Sequence, residues 1–146
     1  MIDVEIEIDM GGVIEKLEAM QARSKNFYIP LMEAKKSLGA YNAANFASQG
    51  GLVGGWKPHD FDTHAGWPVL IRSGKLEASL VSLDGPPNRV GRTRATFGTS
   101  VKYAKFHESG TFKMPRREIV FEPKGWARGV AESCVNHILG LDTHIG

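Results

Sequence analysis

The chain has 146 residues and a mass of 16.0 kDa, the size of one domain with room for a core of its own. Hydrophobic residues make up 42% and charged residues 23%, a globular balance that argues against wholesale disorder. Lys+Arg number 18 and Asp+Glu 16, a net charge of +2, too small to argue nucleic-acid binding from charge alone.

A single cysteine, Cys134, excludes an internal disulfide framework and a cysteine-rich zinc site, and fits a cytosolic origin. The opening MIDVEIEIDM lacks the basic and then apolar regions of a signal peptide. No apolar run approaches the roughly 20 residues that span a bilayer. The expectation is a soluble chain with no membrane partner.

Residues 2–8 alternate Ile2, Val4, Ile6 and Ile8 with Asp3, Glu5 and Glu7. Period two with β-branched residues predicts a half-buried strand whose acidic outer face discourages edge-to-edge pairing. Asp9 and Gly11-Gly12 mark a turn, with Asp9 as a helix cap. Val13, Leu17 and Met20, then Leu31, Ala34, Leu38, Tyr41 and Asn45, recur at helical spacing. They predict helices over 12–25 and 30–48, separate or as one long helix kinked at Pro30. Residues 49–68, QGGLVGGWKPHDFDTHAGWP, form a long loop whose aromatic residues Trp56, Phe61 and Trp67 need burial against this domain or a partner. Ser73 is read as the cap of a short helix through Leu80. Strands follow at 79–83 and 89–98, separated by the turn Asp84–Asn88. A short helix at 101–108 ends near Gly110, and 119–121 is a brief strand. Trp126, Val130, Cys134, Ile138 and Leu141 mark a C-terminal amphipathic helix. This order predicts a single α+β domain over 1–146: a small, mostly antiparallel sheet packed against the long N-terminal helix and the C-terminal helix.

Few residues point to catalysis. His59, Asp60, Asp62 and His64 are the best metal-ligating cluster, because imidazole and carboxylate together bind zinc or non-haem metals. Their spacing matches no zinc signature, and a solvated polar loop is the competing reading. His107-Glu108 opens like a helical metalloprotease motif, but Thr111 stands where its second histidine belongs; the pair reads as a helix end facing solvent or a neighbouring chain. Cys134 and His137 lie one turn apart, but Cys134 shares the apolar face of its helix and reads as a buried structural thiol. There is no Gly-x-Ser-x-Gly elbow and no phosphate loop. Lys113, Arg116 and Arg117, and Arg89, Arg92 and Arg94, read as solvated charges or salt-bridge partners. Repeated around the axis of a ring, such a face would line a pore and meet DNA phosphates.

Four segments carry a resemblance. They are Gly54-Gly55-Trp56-Lys57-Pro58; the run from Pro68 to Leu80, PVLIRSGKLEASL; the run from Phe97 to Thr111, FGTSVKYAKFHESGT; and Met114-Pro115-Arg116-Arg117. In this order they resemble the tailed-bacteriophage virion morphogenesis and tail-completion proteins, a group that includes neck and head–tail joining proteins. Phe46, Trp56, Pro58, Leu70, Ser73, Gly74, Leu76, Ser79, Gly98, Tyr103, Ala104, His107, Gly110, Pro115 and Arg116 fill the family's places. The chain departs from the pattern in the connector HDFDTHAGW and in Glu108, where the family has Gln.

The resemblance implies a structural virion protein, made in the host cytoplasm and located at the head–tail junction or tail end. It would complete the tail or connector by assembling as a ring, a hexamer by family likeness, and so allow head–tail joining. Its partners would be copies of itself, the tail tube or tail terminator, and head-completion or connector proteins, with passive contact to genomic DNA in the pore. It would be no enzyme and need no cofactor. Trp56, Pro58, Leu70, Gly74, Leu76, Tyr103, His107, Gly110, Pro115 and Arg116 are the candidate interface residues. Arg89, Arg92 and Arg94 are the candidate pore-facing ones. Residues 49–68 and 111–117 would order on assembly. Two alternatives from other classes stand beside this: a metal-dependent hydrolase using His59, Asp62 and His64, and a DNA-binding module using Arg89, Arg92, Arg94 and Arg116.

Overall fold

The fold is organised around one central helix. A computed structural model describes residues 4–58, 69–71, 73–112 and 114–141. Their element order is α1 (Gly11–Arg23), α2 (Tyr28–Ala47), a 3-10 turn (Gly51–Val53), α3 (Lys75–Ser82), β1 (Arg89–Val90), β2 (Ala95–Thr96), α4 (Ala104–Ser109) and α5 (Trp126–Leu139). The architecture is α+β, with helices around one small antiparallel sheet.

α2 is 20 residues long, about 30 Å at 1.5 Å per residue. Its buried positions Pro30, Ala34, Leu38, Gly39, Asn42, Asn45 and Phe46 follow the three-and-four spacing of one helix face. Pro30 lies inside the first turn instead of starting it. It is tolerated there because a first-turn N–H has no partner within the helix. α1 and α2 are separate helices: the chain turns through Ser24–Phe27, where the Phe27 N–H donates to the Arg92 carbonyl at 2.6 Å.

α3 runs antiparallel along α2. Asn42 Nδ2 donates to the Leu80 carbonyl at 2.7 Å, and Lys35 Nζ pairs with Asp84 Oδ1 at 2.7 Å. Gly39 faces the Val81 carbonyl so closely that a Cβ there would lie 2.4 Å from its oxygen. α5 is also antiparallel to α2. Trp126 Nε1 donates to Ser37 Oγ at 2.9 Å, Ser133 Oγ to Glu33 Oε2 at 3.2 Å, and His137 Nε2 lies 2.7 Å from the Asn26 carbonyl. α1 touches α5 near its end, where Arg23 Nε donates to the Ile138 carbonyl at 2.8 Å. The core gathers Phe46, Trp56, Val69, Leu76, Leu80, Ala104 and Ile119 beside the C-terminal half of α2.

Four expected strands take other forms. Residues 4–10 have no regular secondary structure, and Val4, Ile6 and Ile8 are 85%, 85% and 76% exposed. A strand is half-buried only when a sheet offers it an edge, and among the described residues none pairs with this segment. Residues 79–83 belong to α3 and its cap: Leu76, Leu80 and Leu83 are all buried, and their i, i+4, i+7 spacing is helical. The expected strand 89–98 is a hairpin, β1 pairing with β2 in the register Arg89↔Thr96 and Val90↔Ala95, because the chain reverses at 91–94. Residues 119–121 are not a strand either, although Ile119 is fully buried. At the caps, Asp9 Oδ1 accepts from Gly11 N–H at 2.9 Å, one residue ahead of the helix cap Met10. Gly74, in the left-handed region, caps α3 in place of Ser73.

Candidate assembly surfaces

Segments 54–58, 97–111 and 114–117 converge on one knot. Its first tie is Gln49, just beyond α2. Gln49 Nε2 donates to the Phe46 carbonyl at 3.1 Å and to the Val69 carbonyl at 3.3 Å, and its Oε1 accepts from the Val69 N–H. One side chain therefore ties the last turn of α2 to the backbone of Val69. Trp56 fills the core edge-on to Phe46, with ring centroids 5.1 Å apart, and its Nε1 donates to the Glu118 carbonyl at 2.8 Å. Arg117 Nε and Nη2 donate to the carbonyls of Lys57 and Pro58 at 2.8 and 3.2 Å. Arg117 is 4% exposed, which corrects its reading as a solvated surface charge: its guanidinium secures the 56–58 loop.

The second tie is the C-terminal end of α4. Glu108 Oε2 accepts from the N–H groups of Ile119 and Val120 at 2.8 and 3.1 Å. The His107 carbonyl accepts from Arg117 N–H at 2.7 Å, and the Glu108 carbonyl from Arg116 Nε at 2.9 Å. This corrects the reading of His107-Glu108 as a pair facing outward, because both clamp the returning chain. Gly110 lets that chain pass: it has φ +70°, and a Cβ on it would lie 3.0 Å from Arg116 N.

The candidate interface residues therefore divide. Trp56 and Leu76 are buried core, and Leu70, Gly74, His107, Gly110 and Pro115 are half-buried around the knot. Pro58, Tyr103 and Arg116 are exposed. Tyr103 stacks edge-on against His107 and, with Phe106 and Phe112, leaves aromatic surface outside. Gln49, Glu108 and Arg117 organise the knot, and sequence reasoning gave the first no role. Its only signal was an amide at the helix-to-loop junction.

A second surface lies at the other end of the molecule. α1 buries none of its 13 residues, and Val13, Ile14 and Leu17 are exposed together with Met10, Ile8, Ile6 and Val4 ahead of them. A third is the hairpin, where Arg89, Arg92 and Arg94 are all exposed. Among the described residues the ion pairs are Lys35–Asp84 and Arg128–Glu132, so none engages the hairpin.

The chemical candidates fare differently. His59, Asp60, Asp62 and His64 lie outside the described residues. Among the described residues no three His, Cys, Asp or Glu side chains are grouped to hold a metal. His137 is committed to the Asn26 carbonyl and to the Phe27 ring, 5.9 Å between centroids. Cys134 is only half-buried, which corrects its reading as a buried thiol, and desolvation raises its pKa above the ordinary value, which disfavours a thiolate nucleophile. No described helix is long and apolar enough to cross a membrane. Comparison with family models, curated proteins and solved structures finds no match.

Proposed function

We propose that this chain is a structural component of a tailed-phage particle, one subunit of a ring that completes the tail or head–tail connector and lets head and tail join. The ring is built from copies of the chain, a hexamer by family likeness, and meets the tail tube or terminator on one side and connector proteins on the other. Assembly proceeds through complementary surfaces, without chemical turnover.

The observation that supports this reading is α1, a helix with no buried residue and apolar side chains facing outward. A surface of this kind is characteristic of a face that is covered in an assembly. Val13, Ile14 and Leu17 are already about half covered, so completing their burial would contribute roughly 1 kcal/mol each. The ordered sequence segments point the same way, because they build a rigid knot that holds the chain's loops and leaves Tyr103, Phe106 and Phe112 on the outside.

Immunogold labelling of particles released from lysing cells that express the chain tests the reading. Label at the head–tail junction or tail end is expected, together with the chain in the mass spectrum of purified particles. Its absence from purified particles would overturn the proposal. Metal analysis of the purified chain addresses the hydrolase alternative, which requires a bound metal lost in a His59→Ala/His64→Ala variant.

A further inference from the structure

We infer that the N-terminal arm, residues 4–9, adds as a strand to the outer edge of β2 in a second copy of this chain, so that the subunits join head to tail. The inference rests on the ring reading above and names the contact that closes it.

The acceptor edge follows from the hairpin's hydrogen bonds. Gly91 N–H donates to the Arg94 carbonyl at 2.8 Å, which makes 91 and 94 a close pair. By the alternation of an antiparallel ladder, the backbone groups of Thr93, Ala95 and Phe97 point away from β1. They have no hydrogen-bond partner among the described residues, since the sheet has two strands and no other backbone bond reaches them. β1 lies towards α2, and the hairpin is tied there through Phe27 N–H and the Arg92 carbonyl. The free edge is therefore on β2. A two-stranded ribbon of this length is marginal alone, and a third strand would stabilise it.

The donor matches that edge on both faces. The arm alternates Ile2, Val4, Ile6 and Ile8 with Asp3, Glu5, Glu7 and Asp9. The hairpin alternates as well: Val90, Ala95 and Phe97 are half-buried on one face, while Arg89, Arg94 and Thr96 are exposed on the other. A strand laid beside β2 continues both faces, apolar beside apolar and carboxylate beside guanidinium. The charges are segregated in these two parts of the chain. Residues 1–15 hold five carboxylates and no Lys or Arg, and residues 85–107 hold five Lys or Arg and no carboxylate. Like charge stops two arms from pairing with each other, and opposite charge selects the hairpin.

The occupant is a second copy because each chain carries one arm and one edge. Passed from one subunit to the next, this donor–acceptor pairing is a heterologous contact, and it closes into a ring when the rotation between neighbours divides a full turn. In the chain itself α1 intervenes: its 13 residues span about 20 Å between the root of the arm and the Phe27 contact with the hairpin. Val4, Ile6 and Ile8 of the arm are exposed, and Met10, Val13, Ile14 and Leu17 continue that apolar surface along α1.

Charge reversal in the full chain tests the contact by light scattering on size exclusion, over a concentration series and at low salt. Wild type is expected to self-associate. Glu5→Lys/Glu7→Lys and Arg92→Glu/Arg94→Glu should each weaken association roughly tenfold or more. Mixing the two variants, or combining all four substitutions in one chain, should restore it. Unfolding midpoints should be unchanged, because every substituted side chain is exposed. The inference would be overturned by a wild type that stays monomeric throughout, by association insensitive to both reversals, by failure of the mixture to recover, or by hairpin variants that lose only binding to a DNA duplex. Rings that persist in the arm variant would overturn this contact alone and leave the virion reading intact, whereas absence from particles would overturn that reading whatever the arm does.

Discussion

Glu108 shows how one side chain sets a local structure. A carboxylate has only acceptors, and this one receives two backbone donors from the turn at 119–120. Ile119 is fully buried, so an alanine at 108 leaves the donors beside it without their partner, at a cost of roughly 2–3 kcal/mol. Glu108→Ala should lower the thermal midpoint by about 5–10 °C in a chain of this size. Glu108→Gln keeps an acceptor oxygen in place and should cost only about 1 kcal/mol. Calorimetry on the two variants checks the contrast, and equal losses would mean that the charge matters and the acceptor does not. A glutamine at this position in the resembled family fits the same role, since an amide oxygen accepts the same bonds.

At the scale of elements, the antiparallel packing of α3 on α2 depends on close approach. The Val81 carbonyl lies where a Cβ of Gly39 would be, at 2.4 Å. Gly39→Ala must separate the helices and should destabilise by about 1–3 kcal/mol, despite the roughly 1 kcal/mol by which alanine favours a helix over glycine. Gly129, inside α5, has nothing within 4 Å of its Cβ position, so Gly129→Ala should stabilise by up to about 1 kcal/mol. Urea unfolding of the two variants reads the opposite signs directly. The same element scale explains why the expected strands gave way. Leu76, Leu80 and Leu83 have a helical period that β-branched content at 79–83 did not override. The arm has strand chemistry, but among the described residues it pairs with no strand of its own chain.

Across the whole molecule, Trp56 joins parts that are distant in sequence. Its ring meets Phe46 on the last turn of α2, and its Nε1 reaches Glu118, 62 positions away. Trp56→Ala should cost about 3–5 kcal/mol and loosen the 49–58 loop along with the 117–120 segment. Trp56→Phe keeps most of the apolar contact and loses the hydrogen bond, for about 1 kcal/mol from that bond. Hydrogen exchange on the two variants distinguishes packing from polar anchoring: only alanine should release protection at both distant segments together. The charge pattern acts at this scale too, since an acidic arm and a basic hairpin make two segments of the chain complementary to each other.

How much was legible in advance depends on the range of the interaction. The helices α1, α2, α4 and α5 were readable to within a few residues, because apolar spacing and glycine stops are local signals. The α+β class followed from the turn at Asp84–Asn88 and the helical periods around it. The four ordered segments were visible as a pattern, but not their roles. Gln49, Glu108 and Arg117 look like surface residues in a linear sequence, and their partners at Val69, Ile119 and Lys57 are 20, 11 and 60 positions away. Only the folded chain could place those groups together. It also decided that the described part of the most regular strand pattern, residues 4–8, pairs with no strand among the described residues. Alternation records which face of a strand is apolar; an edge to pair with must come from elsewhere in the tertiary or quaternary structure.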